Sequence, residues 1–162
     1  MKQYSLEKWV WTEADFDVMG WHDTTVHAVA FIPEKFELIL DIDYILQWVH
    51  PQEGETYFKF WVSPATLVFA NVYDLKIDLE PVGGIELQDI RRTDPRTPNN
   101  AEHIARDKEW RWTVEAHDGE ITFASIGFYQ YFRKEPTLSG AQNLDLETRD
   151  GFSFERGSSP YQ

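Results

Sequence analysis

Apolar and polar residues alternate with a period of two along much of the chain, which is the pattern of half-buried β-strands. The clearest run is residues 36–45. One face of this run is apolar and consists of Phe36, Leu38, Leu40, Ile42 and Tyr44. The opposite face carries Asp41 and Asp43. Similar runs predict strands at 22–32, 57–62, 66–72, 75–80, 85–90 and 109–132.

The segments between these runs contain turn formers. Residues 13–19 fit a helical turn capped by the Thr12 hydroxyl, and proline at position 64 indicates a bend or an edge. Residues 91–108 break the alternation and predict a loop ending in one helical turn. Eight or nine short strands without a long helix predict an antiparallel β sandwich or open barrel with at most short helical turns.

The dipeptide Asp118-Gly119 is the strongest hairpin signal, because type I′ turns need residues that tolerate positive φ. A two-residue loop there pairs Ala116 with Ile121 and Trp112 with Ser125. Beyond residue 134 the periodicity fades. We therefore expect one β domain over residues 1–133 and an extended or loosely ordered segment over 134–162.

Composition and charge narrow the classes of function. The chain has 162 residues, 15% aromatic residues and no cysteine, so it has no disulfide and no cysteine-ligated zinc. Its net charge is −13, and residues 1–80 alone, with 5 basic and 14 acidic residues, carry −9. This balance disfavours nucleic acid and membrane as partners and favours a basic protein. The absence of cysteine, of a leader-like start and of a long apolar stretch favours the cytoplasm.

Trp21, His22, Asp23 and His27 form the first candidate binding group. Neighbouring residues of a strand point to opposite faces, so His22 and Asp23 meet in one site only if a bulge intervenes. Asp23 and His27 share a face but lie about 13 Å apart along it. The alternative is structural: Asp23 caps a turn and His22 bonds to backbone.

Asp41 and Asp43 form the second candidate. Their Cα atoms lie about 6.6 Å apart on one face, which suits either a hard cation or an acid/base pair. A two-residue turn at Pro33-Glu34 brings His22 to that face, whereas a three-residue loop brings Asp23 and His27. The pair is otherwise an ordinary solvated strand face. The sequence leaves these alternatives open.

Aromatic residues supply the remaining candidates. Trp9, Trp11, Trp21, Trp48 and Trp61 form a binding surface if exposed and part of the core if buried. Gln130 lies among aromatic residues and needs a hydrogen-bond partner if buried. No nucleotide-binding, hydrolase or metalloprotease motif appears. We therefore expect no cofactor, and the sequence does not decide whether a metal binds.

Two segments carry a resemblance. The runs 21–29 and 38–44 resemble the opening hairpin of small uncharacterised bacterial all-β proteins with a His-Asp start, some of which are grouped with immunity proteins of polymorphic toxin systems. The resemblance covers about a quarter of the chain and implies no catalytic residue. An immunity-like role implies a basic partner, because such proteins often mask a basic toxin cleft.

These observations predict a non-enzymatic binding or interaction protein of the bacterial cytoplasm. One alternative is a metal-dependent or acid/base enzyme using His22 or His27 with Asp41 and Asp43. Another is a barrel that binds a small apolar ligand. Free strand edges also favour self-association into a homo-oligomer.

Overall fold

The computed structural model describes residues 2–157 and confirms a mainly antiparallel β protein. The strands are β1 (Val10–Thr12), β2 (Thr25–Ile32), β3 (Glu37–Val49), β4 (Lys59–Ala70), β5 (Tyr73–Leu79), β6 (Ile85–Arg96), β7 (Glu109–Ala116), β8 (Gly119–Ser125), β9 (Gly127–Phe132) and β10 (Thr137–Ser139). The helical segments are the 3-10 helices Glu13–Val18 and Pro33–Lys35 and the short helix α1 (Ala101–Ile104). Within this part of the chain, no helix is both long and apolar enough to cross a membrane.

The strands form one open sheet in the order β1-β9-β4-β3-β2-β6-β7-β8-β5, with β10 also paired to β4. The sheet does not close into a barrel. Its two halves join where β2 pairs with β6 through only Thr25–Glu86 and Val26–Ile85. The halves then fold over each other, because Phe69 on β4 lies 5.2 Å from Trp112 on β7 and 4.7 Å from Phe123 on β8, measured between ring centres.

The core between the halves is rich in aromatic rings packed edge to face, the geometry that aromatic pairs prefer. The predicted apolar face of β3 is buried in it at Leu38, Leu40, Ile42 and Tyr44. Phe36 is the exception. It is 59% exposed and has a left-handed φ of 53°, because it ends the turn before β3 instead of belonging to the strand.

Pro64 does not interrupt the strand as the sequence suggested, but it does lie at a local edge of the sheet. It lies inside β4, opposite Asp43. Its carbonyl accepts a hydrogen bond from the amide of Arg133, so its missing N–H faces the same neighbouring side. On that side β10 pairs with β4 only as far as Val62 and β9 begins pairing at Ala65. Proline therefore removes no ladder donor.

The loop predicted for residues 91–108 begins later in the structure than the sequence predicts. Strand β6 continues to Arg96, with a register shift between Thr93 and Arg96. Asp94 there has a left-handed φ of 52°. Such a bulge accommodates Pro95 without breaking the strand pairing on either side.

The hairpin between β7 and β8 turns at residues 117–118, one residue earlier than the sequence predicts, so that each residue of β7 pairs two positions earlier on β8. Ala116 pairs with Gly119 and Trp112 with Phe123, not with Ile121 and Ser125. A shift of two residues leaves every side chain on its predicted face. Gly119 is needed within β8, because it has a φ of 130° and a Cβ there would lie 2.0 Å from the carbonyl oxygen of Asp78.

Residues 134–157 lie against the sheet, although the sequence predicts a loosely ordered segment there. Residues Thr137–Ser139 pair with β4, and the side chain of Arg149 is fully buried. The predicted tail beyond residue 157 lies outside the described residues.

We expect Gly119→Ala to lower the free energy of unfolding by at least about 2 kcal/mol, because the substitution combines a strained φ with a backbone clash. Urea unfolding followed by circular dichroism measures the change. Gly140→Ala is the matched control, since a Cβ at Gly140 meets no atom within 4 Å, and it should change stability by less than about 0.5 kcal/mol. Equal stability of the two variants would contradict the register described.

Candidate functional site

Asp41 and Asp43 point away from the aromatic core, because they alternate with Leu40 and Ile42 along β3. Both carboxylates are nevertheless 0% exposed. The two aspartates therefore do not form the solvent-exposed strand face that was the ordinary alternative for them. The segment that covers them contributes the backbone amides of Leu144 and Ser153, which donate to Asp43 and Asp41 at 2.8 and 3.0 Å.

His27 is the histidine that meets the pair. Four residues, 33–36, separate Ile32 from its partner Glu37, a longer loop than either alternative considered. A bulge between Val26 and Ala28 then shifts the register and leaves His27 on the aspartate face. Its Nε2 lies 2.7 Å from Asp43 Oδ2. Because that carboxylate oxygen accepts, Nε2 carries the proton.

Arg149 provides the main counter-charge and is itself fully buried. Its Nη2 and Nη1 donate to the two oxygens of Asp41 at 2.6 and 3.0 Å, and its Nε donates to Asp43 at 3.1 Å. Arg133 adds a second cation, with Nη2 at 2.7 Å from Asp41. Two carboxylates and two guanidinium groups cancel in formal charge, which is the condition for burying them.

Burial alone would raise the pKa of Asp41, since it disfavours the charged form. Hydrogen bonds from Arg149, from the Ser153 amide and from Arg133 outweigh that effect, so the pKa of Asp41 lies below its ordinary value. Burial likewise opposes the charge of Arg149, but its bonds to Asp41 and the charge of Asp43 raise its pKa. Both groups therefore stay ionised in the folded protein.

Each of the four carboxylate oxygens accepts at least one hydrogen bond from this chain. We therefore interpret the buried charge cluster of Asp41, Asp43, Arg133, Arg149 and His27 as structural. It fixes residues 144–153 across the outer face of β3. The four oxygens of Asp41 and Asp43 all accept hydrogen bonds within the described chain, so none of them is free to bind a cation or a substrate.

Trp21 and Gln130 lie in the core, 1% and 0% exposed. The indole Nε1 of Trp21 donates to Gln130 Oε1 at 2.9 Å, which satisfies the acceptor of the amide. Gln130 Nε2 has no partner among the described residues. The pair links the turn before β2 to β9, and it faces rings of the core instead of the surface.

His22 and Asp23 lie in the turn before β2, at the surface. Asp23 has a left-handed φ of 62°, which breaks strand alternation and lets both side chains approach each other. His22 Nδ1 lies 3.1 Å from the carbonyl oxygen of Gln88, and Asp23 Oδ2 accepts from Gln142 Nε2 at 2.8 Å. The structure thus separates this surface pair from Asp41 and Asp43.

A groove of about 530 Å³ opens beside this turn. One wall comes from the β3–β4 hairpin and the other from the segment that precedes Leu144. The lining residues are Thr25, Tyr57, Phe58, Phe60, Glu86, Gly140, Ala141, Gln142 and Asn143. A second cleft of about 230 Å³ shares Thr25, Glu86 and Asn143 with it. We call the two together the aromatic groove.

The aromatic groove has an apolar wall and an acidic end. Tyr57 and Phe58 are 80% and 38% exposed, and Trp48, 41% exposed, packs on Phe58 with ring centres 5.9 Å apart. Glu86 and Asp118 contribute carboxylates. Among the described residues that line the groove, none is lysine or arginine. Sites that combine aromatic anchors with charges of one sign are typical of binding surfaces.

Comparison of the chain with protein-family models, curated proteins and solved structures found no match. The resemblance to immunity proteins therefore stays a prediction.

Sequence reasoning missed Arg133, Arg149, Glu86 and Tyr57. The only signal for the arginines is indirect: two aspartates in an otherwise apolar strand require counter-charges if they are buried. Nothing in the sequence says which of the basic residues, more than ninety positions away, supplies them. Tyr57 and Glu86 belong to separate hairpins, and only the folded sheet brings them to one groove.

We expect Arg149→Met to lower the free energy of unfolding by about 3–5 kcal/mol, because it leaves two buried carboxylates without their main counter-charge. Chemical denaturation measures the loss. Arg91→Met is the control. Arg91 pairs with Glu115 at the surface, where its side chain is 59% exposed, so its loss should cost no more than about 1 kcal/mol. A similar cost for both variants would show that the cluster contributes little.

The pKa of Asp41 also predicts a pH dependence. Since this pKa is lower in the folded than in the unfolded chain, ionised Asp41 stabilises the fold above its ordinary value of 3.8. That contribution disappears as the pH falls through the folded value. We expect the free energy of unfolding to fall more steeply below about pH 4 in the unmodified protein than in Asp41→Asn. Parallel pH profiles for the two proteins would assign the acid sensitivity to other carboxylates.

Proposed function

We propose that this chain is a non-enzymatic binding protein whose aromatic groove receives a basic segment of another protein. The observation that carries the proposal is the composition of the groove. Exposed aromatic side chains line one wall, carboxylates lie at its end, and no lysine or arginine occurs among its described lining residues.

Apolar contacts supply the affinity in this proposal. Tyr57 and Phe58 present large, rigid surfaces that lose little side-chain entropy on binding, and such residues dominate binding energy in protein interfaces. Trp48 supports Phe58 from behind. A partner side chain that is aliphatic or aromatic would bury against this wall.

Charge supplies the selectivity. The net charge of −13 attracts basic partners over distances longer than direct contact. At the groove itself the acidic side chains are Glu86 and Asp118. Lysine or arginine side chains of a partner would pair with these carboxylates, whereas an acidic segment would be repelled.

A partner of this kind agrees with an immunity-like role in the bacterial cytoplasm, in which an acidic protein masks the basic cleft of a toxin. A chain that pairs its own free sheet edges into a homo-oligomer would still present the groove. Neither the immunity-like role nor a homo-oligomer changes the peptide-binding result expected below.

The test is selection of displayed random 12-residue peptides on the purified protein, followed by titration of the enriched synthetic peptides by fluorescence anisotropy. We expect the enriched peptides to carry net positive charge and at least one aromatic or large aliphatic residue. Their affinity should fall steeply with added salt, because the attraction between exposed charges is screened. It should also fall at least about tenfold in Tyr57→Ala, the loss typical of an interface anchor.

Phe31→Ala is the matched control. Phe31 is an exposed aromatic residue, 41% accessible, near the end of β2 opposite to the groove residue Thr25. Its truncation should leave the affinity unchanged. Enrichment of acidic peptides, or equal binding by Tyr57→Ala and Phe31→Ala, would refute the proposed function.

A further inference from the structure

Three side chains of different elements converge at the edge of the aromatic groove. Asp23 comes from the turn before β2, Glu86 from β6 and His117 from the turn between β7 and β8. Each offers one ligand atom, and these atoms lie within 4.8 Å of one another. His117 Nε2 and Glu86 Oε1 are 3.6 Å apart.

Backbone hydrogen bonds hold the three elements together. The amide of Asp23 donates to the carbonyl of Leu87 at 2.9 Å, and the amide of His117 donates to the carbonyl of Glu86 at 3.0 Å. The amide of Leu87 in turn donates to Thr24 at 2.8 Å. These bonds fix the backbone positions from which the three side chains extend, whereas the side chains of His117 and Glu86 are 43% and 47% exposed.

His22 lies beside this group but outside it, because its ligand atom is not among those that lie within 4.8 Å of one another. Its Nδ1 lies within hydrogen-bond distance of the Gln88 carbonyl, so Nδ1 carries the proton and Nε2 keeps a free lone pair. That Nε2 lies 3.4 Å from Asp23 Oδ2. A histidine oriented by a backbone carbonyl through one ring nitrogen, with the other nitrogen free, is the usual arrangement of a metal ligand.

Two of the separations match those between the ligands of a small tetrahedral ion. Ligand atoms about 2.1 Å from zinc lie about 3.4 Å from one another in a tetrahedron, close to the 3.4 and 3.6 Å separations between these imidazole and carboxylate atoms. Two imidazoles and two carboxylates suit zinc or a neighbouring transition metal, whereas calcium and magnesium prefer oxygen alone. The carboxylates also cancel the charge of a dication.

We propose that Asp23, Glu86 and His117 form a binding site for a divalent transition metal, with zinc the best match, and that the exposed side chain of His22 rotates to supply a fourth ligand. Gln142, which donates to Asp23 Oδ2 at 2.8 Å, orients that carboxylate from outside the ligand set. The site shares Glu86 and His117 with the acidic end of the aromatic groove, but it needs neither Tyr57 nor Phe58, so zinc binding and peptide binding can be tested separately.

The test is titration of the metal-free protein with zinc chloride, followed by isothermal calorimetry, and with cobalt chloride, followed by visible absorption. We expect one ion per chain, the intense visible bands of tetrahedral cobalt, and no binding of magnesium at equal concentration. His117→Ala and Asp23→Asn should each weaken zinc binding at least about tenfold, because each removes a ligand. Asparagine tolerates the left-handed φ at position 23.

His103→Ala is the matched control, since His103 lies on α1 outside the ligand set, and it should bind zinc like the unmodified protein. Circular dichroism of each variant checks that the fold is intact. Loss of affinity in His103→Ala equal to that in His117→Ala, or the absence of one-to-one zinc binding by the folded unmodified protein, would overturn the site. Peptide binding to the groove with no zinc binding would reject the metal site alone.

Discussion

The guanidinium group of Arg149, held between Asp41 and Asp43, is the contact on which the outer face of the sheet depends. Burying two carboxylates on one strand is unfavourable unless their charges are balanced and their oxygens are hydrogen-bonded. Arg149 meets most of this requirement alone, through bonds to both aspartates. Arg133, which directly follows β9, and His27 on β2 complete it. The charge cluster thus brings three distant parts of the sequence to one face of β3.

The same contact positions the candidate binding surface. Residues 140–143 form one wall of the aromatic groove, and the next residue, Leu144, is tied to Asp43 through its amide. The opposite wall belongs to the β3–β4 hairpin, which continues the strand that carries both aspartates. The buried charge cluster therefore fixes the chain segment next to Leu144, and that segment forms one wall of the exposed groove.

The alternation of side chains along the sequence predicted much of the core and of the charge cluster. It placed Leu38 to Tyr44 in the core, put Asp41 and Asp43 on one face, and offered His27 as one of two histidines that meet them. It failed where the backbone departs from a regular strand. The bulge at His27 and the left-handed Asp23 change which faces meet, and the turn at Asp118 shifts partners by two residues. The role of Arg149 could not be predicted for another reason, because periodicity says nothing about contacts between segments a hundred residues apart.

The charge cluster also imposes an order on biosynthesis. Domains generally fold as units during synthesis, and β3 leaves the ribosome long before position 149 is translated. Until then its two carboxylates must remain hydrated, because dehydrating them without the arginine is too costly. In a chain that lacks residue 149, the carboxylates of Asp41 and Asp43 consequently stay exposed to solvent, whereas in the complete chain they are buried.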